Sequence, residues 1–74
     1  MNSTLVEMVA VRLYENDLDV DDVRRINAAD GFTYDHAPHG NNWLRTEGAR
    51  MSEAEIQAAI ALAAEWQEIG LPVE

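Results

Sequence analysis

The sequence predicts a compact α+β domain in the order α-α-β-β-α, with a short hairpin and a long C-terminal helix. Three observations carry it. Helix-start signals precede apolar residues spaced three and four apart in three places. One short stretch alternates apolar with polar. A final amphipathic run has both of its ends marked.

Thr4-Leu5-Val6-Glu7 has the spacing of a capping box, with Thr4 as N-cap and Glu7 reaching back. Behind it Leu5, Val6, Met8, Val9 and Leu13 share one side of a helix, while Glu7, Val11 and Glu15 face away. The first helix is expected over 5–16. The stretch ENDLDVDD follows, with aspartates at 17, 19, 21 and 22. A calcium loop counted from Asp17 wants glycine at its sixth position and glutamate at its twelfth. Those positions hold Asp22 and Ala28, so the stretch is read as a turn and a helix start. Asp19 is the expected N-cap, Asp21 and Asp22 favour the positive end of the dipole, and Asp21–Arg25 is an expected i,i+4 pair. Val20, Val23 and Ile26 supply the apolar stripe, and Gly31 ends the second helix.

FTYDH alternates Phe32, Tyr34 and His36 against Thr33 and Asp35, as a half-buried strand does. APHGNN is rich in turn formers and WLRT can return, so residues 32–46 are expected to form a hairpin with a six-residue loop. In the last helix Ser52 and Glu55 form a second capping box, with Met51 and Ile56 at the staple positions. Ile56, Ala59, Ile60, Leu62, Ala63, Trp66 and Ile69 form its apolar side; Glu53, Gln57, Ala61, Ala64, Glu65 and Glu68 face water. Gly70 stops it, Leu71 can fold back on Trp66, and Pro72 forbids continuation. Tyr14 and Tyr34 are expected at the core edge, and Trp66 within the core. Helix 3 is expected to pack across helices 1 and 2.

At 74 residues, 1–74 reads as a single domain that buries only about 60% of its unfolded surface. With no cysteine, disulfides and thiolate metal sites are excluded, leaving packing or a homodimer as the means of holding the fold. No apolar run approaches a membrane span and no signal-peptide pattern opens the chain, so the expected location is cytoplasmic, the host's cytoplasm if a phage encodes it. Fourteen acids stand against five arginines and no lysine, a net charge of -9. Residues 1–30 carry seven acids and three arginines (-4), residues 31–50 two of each, and residues 51–74 five glutamates without a base (-5). Such a surface repels nucleic acid and favours basic partners, although a solvated surface or adaptation to high salt gives the same composition. Glu65 and Glu68 sit at the negative end of a helix dipole with no base to offset them, which suggests an acidic surface kept for a partner.

Asp35, His36 and His39 alone have catalytic or metal-ligand vocabulary. Their spacing in a Pro/Gly turn matches no metal motif, and neither a nucleophile nor an anion-binding glycine loop accompanies them, so no enzyme, no metal and no cofactor are expected. Trp43 flanks the hairpin loop, where it can pack inward or meet a partner.

The order of helix Asp19–Ala29 and strands within Phe32–Thr46 is similar to the second half of a winged helix-turn-helix. That resemblance implies a small transcriptional regulator contacting DNA through Arg24, Arg25 and Arg45. Three aspartates at the start of the would-be recognition helix, and few cations for phosphates, turn the expectation toward protein. In size, acidity and lack of catalytic groups the chain also resembles, by type, the small acidic inhibitors of phages and mobile elements, including anti-CRISPR proteins and nucleic-acid mimics. The leading expectation is a non-catalytic module that occupies a basic, nucleic-acid-binding surface of a partner protein. Asp17, Asp19, Asp21, Asp22, Glu65, Glu68 and Trp43 are its contact residues. The alternatives are the DNA-binding regulator and a metal-dependent activity at His36 and His39.

Overall fold

The computed structural model describes residues 1–36 and 44–71. The helices are α1 (Ser3–Tyr14), α2 (Val20–Ala28) and α3 (Glu53–Ile69); strands β1 (Phe32–His36) and β2 (Leu44–Ala49) form an antiparallel pair. The architecture is the expected α+β, α-α-β-β-α arrangement with a long last helix.

Helix α1 begins two residues earlier than its capping-box spacing suggests. Its N-cap is Asn2, whose Oδ1 accepts from the Leu5 N–H at 3.1 Å, so Thr4 lies inside the helix. The reason is tertiary. Asn2 Nδ2 donates to the Tyr34 hydroxyl at 2.7 Å, and the Asn2 N–H donates to the Glu55 carboxylate at 2.8 Å. Thr4 offers neither anchor. Leu5, Val6, Val9 and Ala10 are buried, with Met8, Val11 and Leu13 packed partly against them. Val11 therefore meets the core although the wheel turned it outward. The helix ends at Tyr14, before the expected residue 16.

Helix α3 keeps its predicted start. Ser52 and Glu55 form the capping box, and Met51 and Ile56 are both buried. Asn2 meets Glu55, the Tyr14 and Trp66 rings meet edge-to-face at 6.2 Å, and Gln67 Nε2 donates to the Tyr14 carbonyl at 3.2 Å. Residues 2 to 14 thus run beside residues 55 to 67 in the same direction, and α1 with α3 is the principal helix pair. Ile69 lies on the apolar side of the helical wheel but is 73% exposed, because α1 has already ended beside Trp66. Leu71 is likewise exposed, and Pro72 lies outside the described residues.

Helix α2 starts on Asp19 as expected, in a reciprocal capping box with Asp22. Only Val23 is buried in it; Ile26 is partly buried, and Val20 is exposed rather than part of a full stripe. Arg25 pairs with Asp22 at 2.5 Å, not with Asp21, since the capping box already fixes the Asp22 carboxylate within reach. α2 is tied to the segment before α3 by Asn27, Arg50 and an Arg24–Glu53 ion pair. The packing of α3 is therefore chiefly on α1, with α2 held at its first turn.

In the hairpin Phe32 and Tyr34 are buried while Thr33 and Asp35 are exposed, as the alternation required. β2 runs to Ala49, beyond the expected residue 46. Phe32 faces Ala49 but Tyr34 faces Thr46, so the register slips by one residue between them. The extra residue falls at Glu47-Gly48, where Gly48 adopts φ 66, as a bulge residue does. The expected six-residue loop 37–42, with His39, and the flanking Trp43 lie outside the described residues. The core joins α1, α3, Val23, Met51 and the Phe32/Tyr34 face of the hairpin.

Candidate functional site

ENDLDVDD joins two helix ends. At the end of α1 Asn16 takes φ 61, a left-handed conformation that asparagine tolerates better than most residues. Its N–H reaches the Leu13 carbonyl at 3.2 Å and the Asp17 N–H reaches the Arg12 carbonyl at 2.9 Å, the two bonds of a Schellman motif. The Asp17 carboxylate accepts from Arg12 at 3.1 Å. Two residues later Asp19 accepts from the Asp22 N–H at 2.8 Å, and Asp22 accepts from the Asp19 N–H at 3.2 Å. The Asp22 carboxyl is held below its ordinary value by that backbone bond and then by Arg25. Three of the four aspartates thus close helix ends or pair locally. Asp21 is exposed and makes no hydrogen bond or ion pair.

The parallel course of α1 and α3 puts both negative dipole ends at one pole of the molecule. Glu15 and Asp17 follow α1 there; Glu65 and Glu68 lie in the last turns of α3, which has no basic residue in its last turn. Glu15, Glu65 and Glu68 are exposed without partners. Glu65 and Glu68 do not share a face with the turn aspartates, beside which Ile60 lies. At about 100° per residue, Glu68 lies about 80° and Glu65 about 140° around α3 from Ile60. The structure gathers the turn aspartates with one another and the glutamates at the same pole, on a different side of α3.

Beside the turn an open apolar groove of about 270 Å³ is lined by Leu13, Asn16, Leu18, Asp19, Val20, Ile60 and Ala63. The sequence carried two signals for it: Leu18, an apolar residue set between turn aspartates, and Asn16, a left-handed-capable residue just past a helix. Neither says that α3 passes beneath the turn. That contact is long-range.

Each arginine has an internal acceptor. Arg24 makes a two-point pair with Glu53 at 2.7 and 3.0 Å, Arg25 pairs with Asp22 and Arg45 with Glu47 at 3.3 Å. Arg50 donates to the Asn27 and Ala29 carbonyls, where it caps α2. Arg24, helped by Gln57, draws the Glu53 carboxyl down to about 2, from an ordinary 4.5. Glu55, which accepts from the backbone N–H groups of Ser52 and Asn2, is also lowered. It touches the starts of both parallel helices, where a carboxylate is most favoured.

His39 and Trp43 lie outside the described residues, and His36 is the last residue of β1, in register with Leu44. Among the described residues no three His, Cys, Asp or Glu side chains come together in a metal-ligating group. No helix among them is long and apolar enough to cross a membrane. The chain matches no protein-family model, no curated protein and no solved structure.

Proposed function

We infer that the chain is a non-catalytic binding module for a basic surface of a partner protein, of the kind that otherwise holds nucleic acid. The observation that carries this reading is the acidic pole. Carboxylates at Glu15, Glu65 and Glu68 stand where two helix C-termini already concentrate negative charge; α3 has no basic residue in its last turn, and Arg12, in the last turn of α1, is paired with Asp17. That arrangement works against the stability of the isolated fold, so a cationic partner is the natural complement. Elsewhere Glu7, Asp21, Asp30 and Asp35 are also exposed, with no side-chain hydrogen bond or ion pair. On this reading the protein acts as an inhibitor by occupying the partner's groove with carboxylates in the place of phosphates.

The regulator reading has less support. Arg24 and Arg25 are engaged by Glu53 and Asp22, and the helix that would enter a groove presents Asp21 to solvent. Gel shift of duplex DNA at low salt, with affinity capture of proteins from a bacterial lysate at low and high salt, separates the two. The module reading expects no DNA shift, and capture of basic, nucleic-acid-binding proteins that release as salt rises. A DNA shift that disappears on changing Arg24 and Arg25 to alanine would reverse it.

A further inference from the structure

We propose that the apolar groove beside the 15–22 turn seats an apolar side chain from a basic amphipathic segment of the partner, whose Lys or Arg residues meet the aspartates on the rim. This rests on the binding-module reading above and names the part of the surface, and the partner chemistry, that it uses.

The groove is built from apolar groups that the fold does not need to leave open. Leu13, Leu18, Ile60 and Ala63 form its walls, and Val20 stands at its mouth, 36% exposed at the first position of α2. Its volume of about 270 Å³ falls at the lower end of small-molecule sites, which run from about 300 Å³ upward, and suits a single large side chain. The rim sets the charge of the occupant. Asp19 lines the groove and Asp21 is exposed next to Val20 in the chain; Asp19 uses Oδ1 for the Asp22 N–H, which leaves Oδ2 for an incoming cation. Arg12, the arginine of this turn, is already taken by Asp17. A second copy of the chain is a poor occupant, because it would bring a net charge of -9 against another -9. An apolar anchor flanked by cations satisfies both wall and rim, the arrangement by which amphipathic helices dock in grooves.

The test uses isotope-labelled protein and three designed peptides of equal length. The first is a lysine-rich helix with leucines three and four apart, the second replaces its leucines by serine, and the third replaces its lysines by glutamate. The expected result is that the first peptide shifts the backbone amides of Leu13, Leu18, Val20, Ile60 and Ala63. It should bind at least about tenfold more tightly than the serine peptide, as burial of one large apolar side chain implies. Val20→Thr, nearly the same shape, should weaken it by about fivefold, and Ile60→Val should weaken it as well, each variant first shown folded by a melt. Equal binding of the leucine and serine peptides overturns the groove and leaves the acidic-surface reading standing. Failure of both lysine peptides to bind overturns both. Equal binding of the glutamate peptide overturns the role of the rim. A concentration-dependent dimer with the same amides protected assigns the groove to a second copy and overturns the proposal.

Discussion

The side-chain amide of Asn27 pairs with the backbone of Met51 in both directions: Nδ2 donates to the Met51 carbonyl at 3.0 Å, and Oδ1 accepts from the Met51 N–H at 2.7 Å. An α2 side chain thereby takes the part of a neighbouring strand for the segment that leads into α3. Met51 is itself buried at the staple position, so its backbone has little access to water. Arg50 closes the same junction by donating to the Asn27 and Ala29 carbonyls.

Asn27→Ala should therefore cost about 2–3 kcal/mol, two part-buried hydrogen bonds with the Met51 groups left unsatisfied. Asn27→Asp keeps the acceptor but sets a carboxylate oxygen against the Met51 carbonyl. Its protonated form can donate there, so the deficit relative to the parent should be larger at neutral than at acid pH. Urea unfolding at both pH values measures this. Equal stability of all three proteins would mean that the junction contributes nothing.

Gly31, just before β1, and Gly48, within β2, provide a contrast. A Cβ on Gly31 (φ 79) would meet the Gly48 carbonyl carbon at 2.8 Å and the Ala49 oxygen at 2.9 Å; on Gly48 (φ 66) the nearest atom is the Asp30 oxygen at 3.7 Å. Gly48→Ala should cost only the backbone term, about 1 kcal/mol. Gly31→Ala adds a clash with backbone that cannot swing aside, and should cost about 3 kcal/mol or more. Thermal melts of the two variants should differ in that order.

Acid should destabilise the fold through Glu53. Its carboxyl titrates at about 2 when folded, chiefly because Arg24 donates to it, against 4.5 ordinarily. A lowered folded value means that the contribution is fully present above pH 4.5, falls away below it and is gone once pH drops through about 2. Asp22 and Glu55 are lowered in the same direction by their capping bonds. Protonation of the unpaired carboxylates relieves repulsion in the opposite sense, so the difference between proteins is the informative quantity. The stability gap between parent and Glu53→Gln should shrink from pH 6 to pH 2; a gap independent of pH would show that the Arg24 pair is not formed.

What could be read from the sequence was local. The Ser52/Glu55 box, the Asp19 N-cap, the Met51/Ile56 pair and the Phe32/Tyr34 alternation all act within a few residues, and each is found. The N-cap of α1 was misplaced because Asn2 wins through Tyr34 and Glu55, contacts 32 and 53 residues away. Ile69 was misplaced because a helical wheel does not say where the neighbouring helix stops. Of the site, the acidic residues were legible as residue types. Their gathering at one pole depends on α1 and α3 running parallel, and the groove on α3 passing beneath the turn. Neither follows from spacing along the chain.

The acidic pole can be tested by charge reversal, and the structure divides the candidate positions into two kinds. Glu65→Lys with Glu68→Lys places cations beside the free carbonyls of α3 and near the end of α1, which should stabilise the isolated protein by about 0.5–1 kcal/mol. Added salt should raise the melting temperature of the parent more than that of this variant, because it screens a repulsion the variant lacks. Asp21→Lys removes no hydrogen bond and should change stability by only about 0.5 kcal/mol. Asp22→Lys breaks the capping box and the Arg25 pair together, and should cost about 1–2 kcal/mol; it is thus a poor probe of binding. Glu65, Glu68 and Asp21 are the informative positions. Once a basic partner has been captured, calorimetry with the triple variant should show binding lost in a protein that melts no lower than the parent. That combination, weaker binding with an equal or greater stability, is what a surface held acidic for a partner requires. A triple variant that is more stable and binds unchanged would make the pole a solvated surface and remove the support for the inhibitor reading.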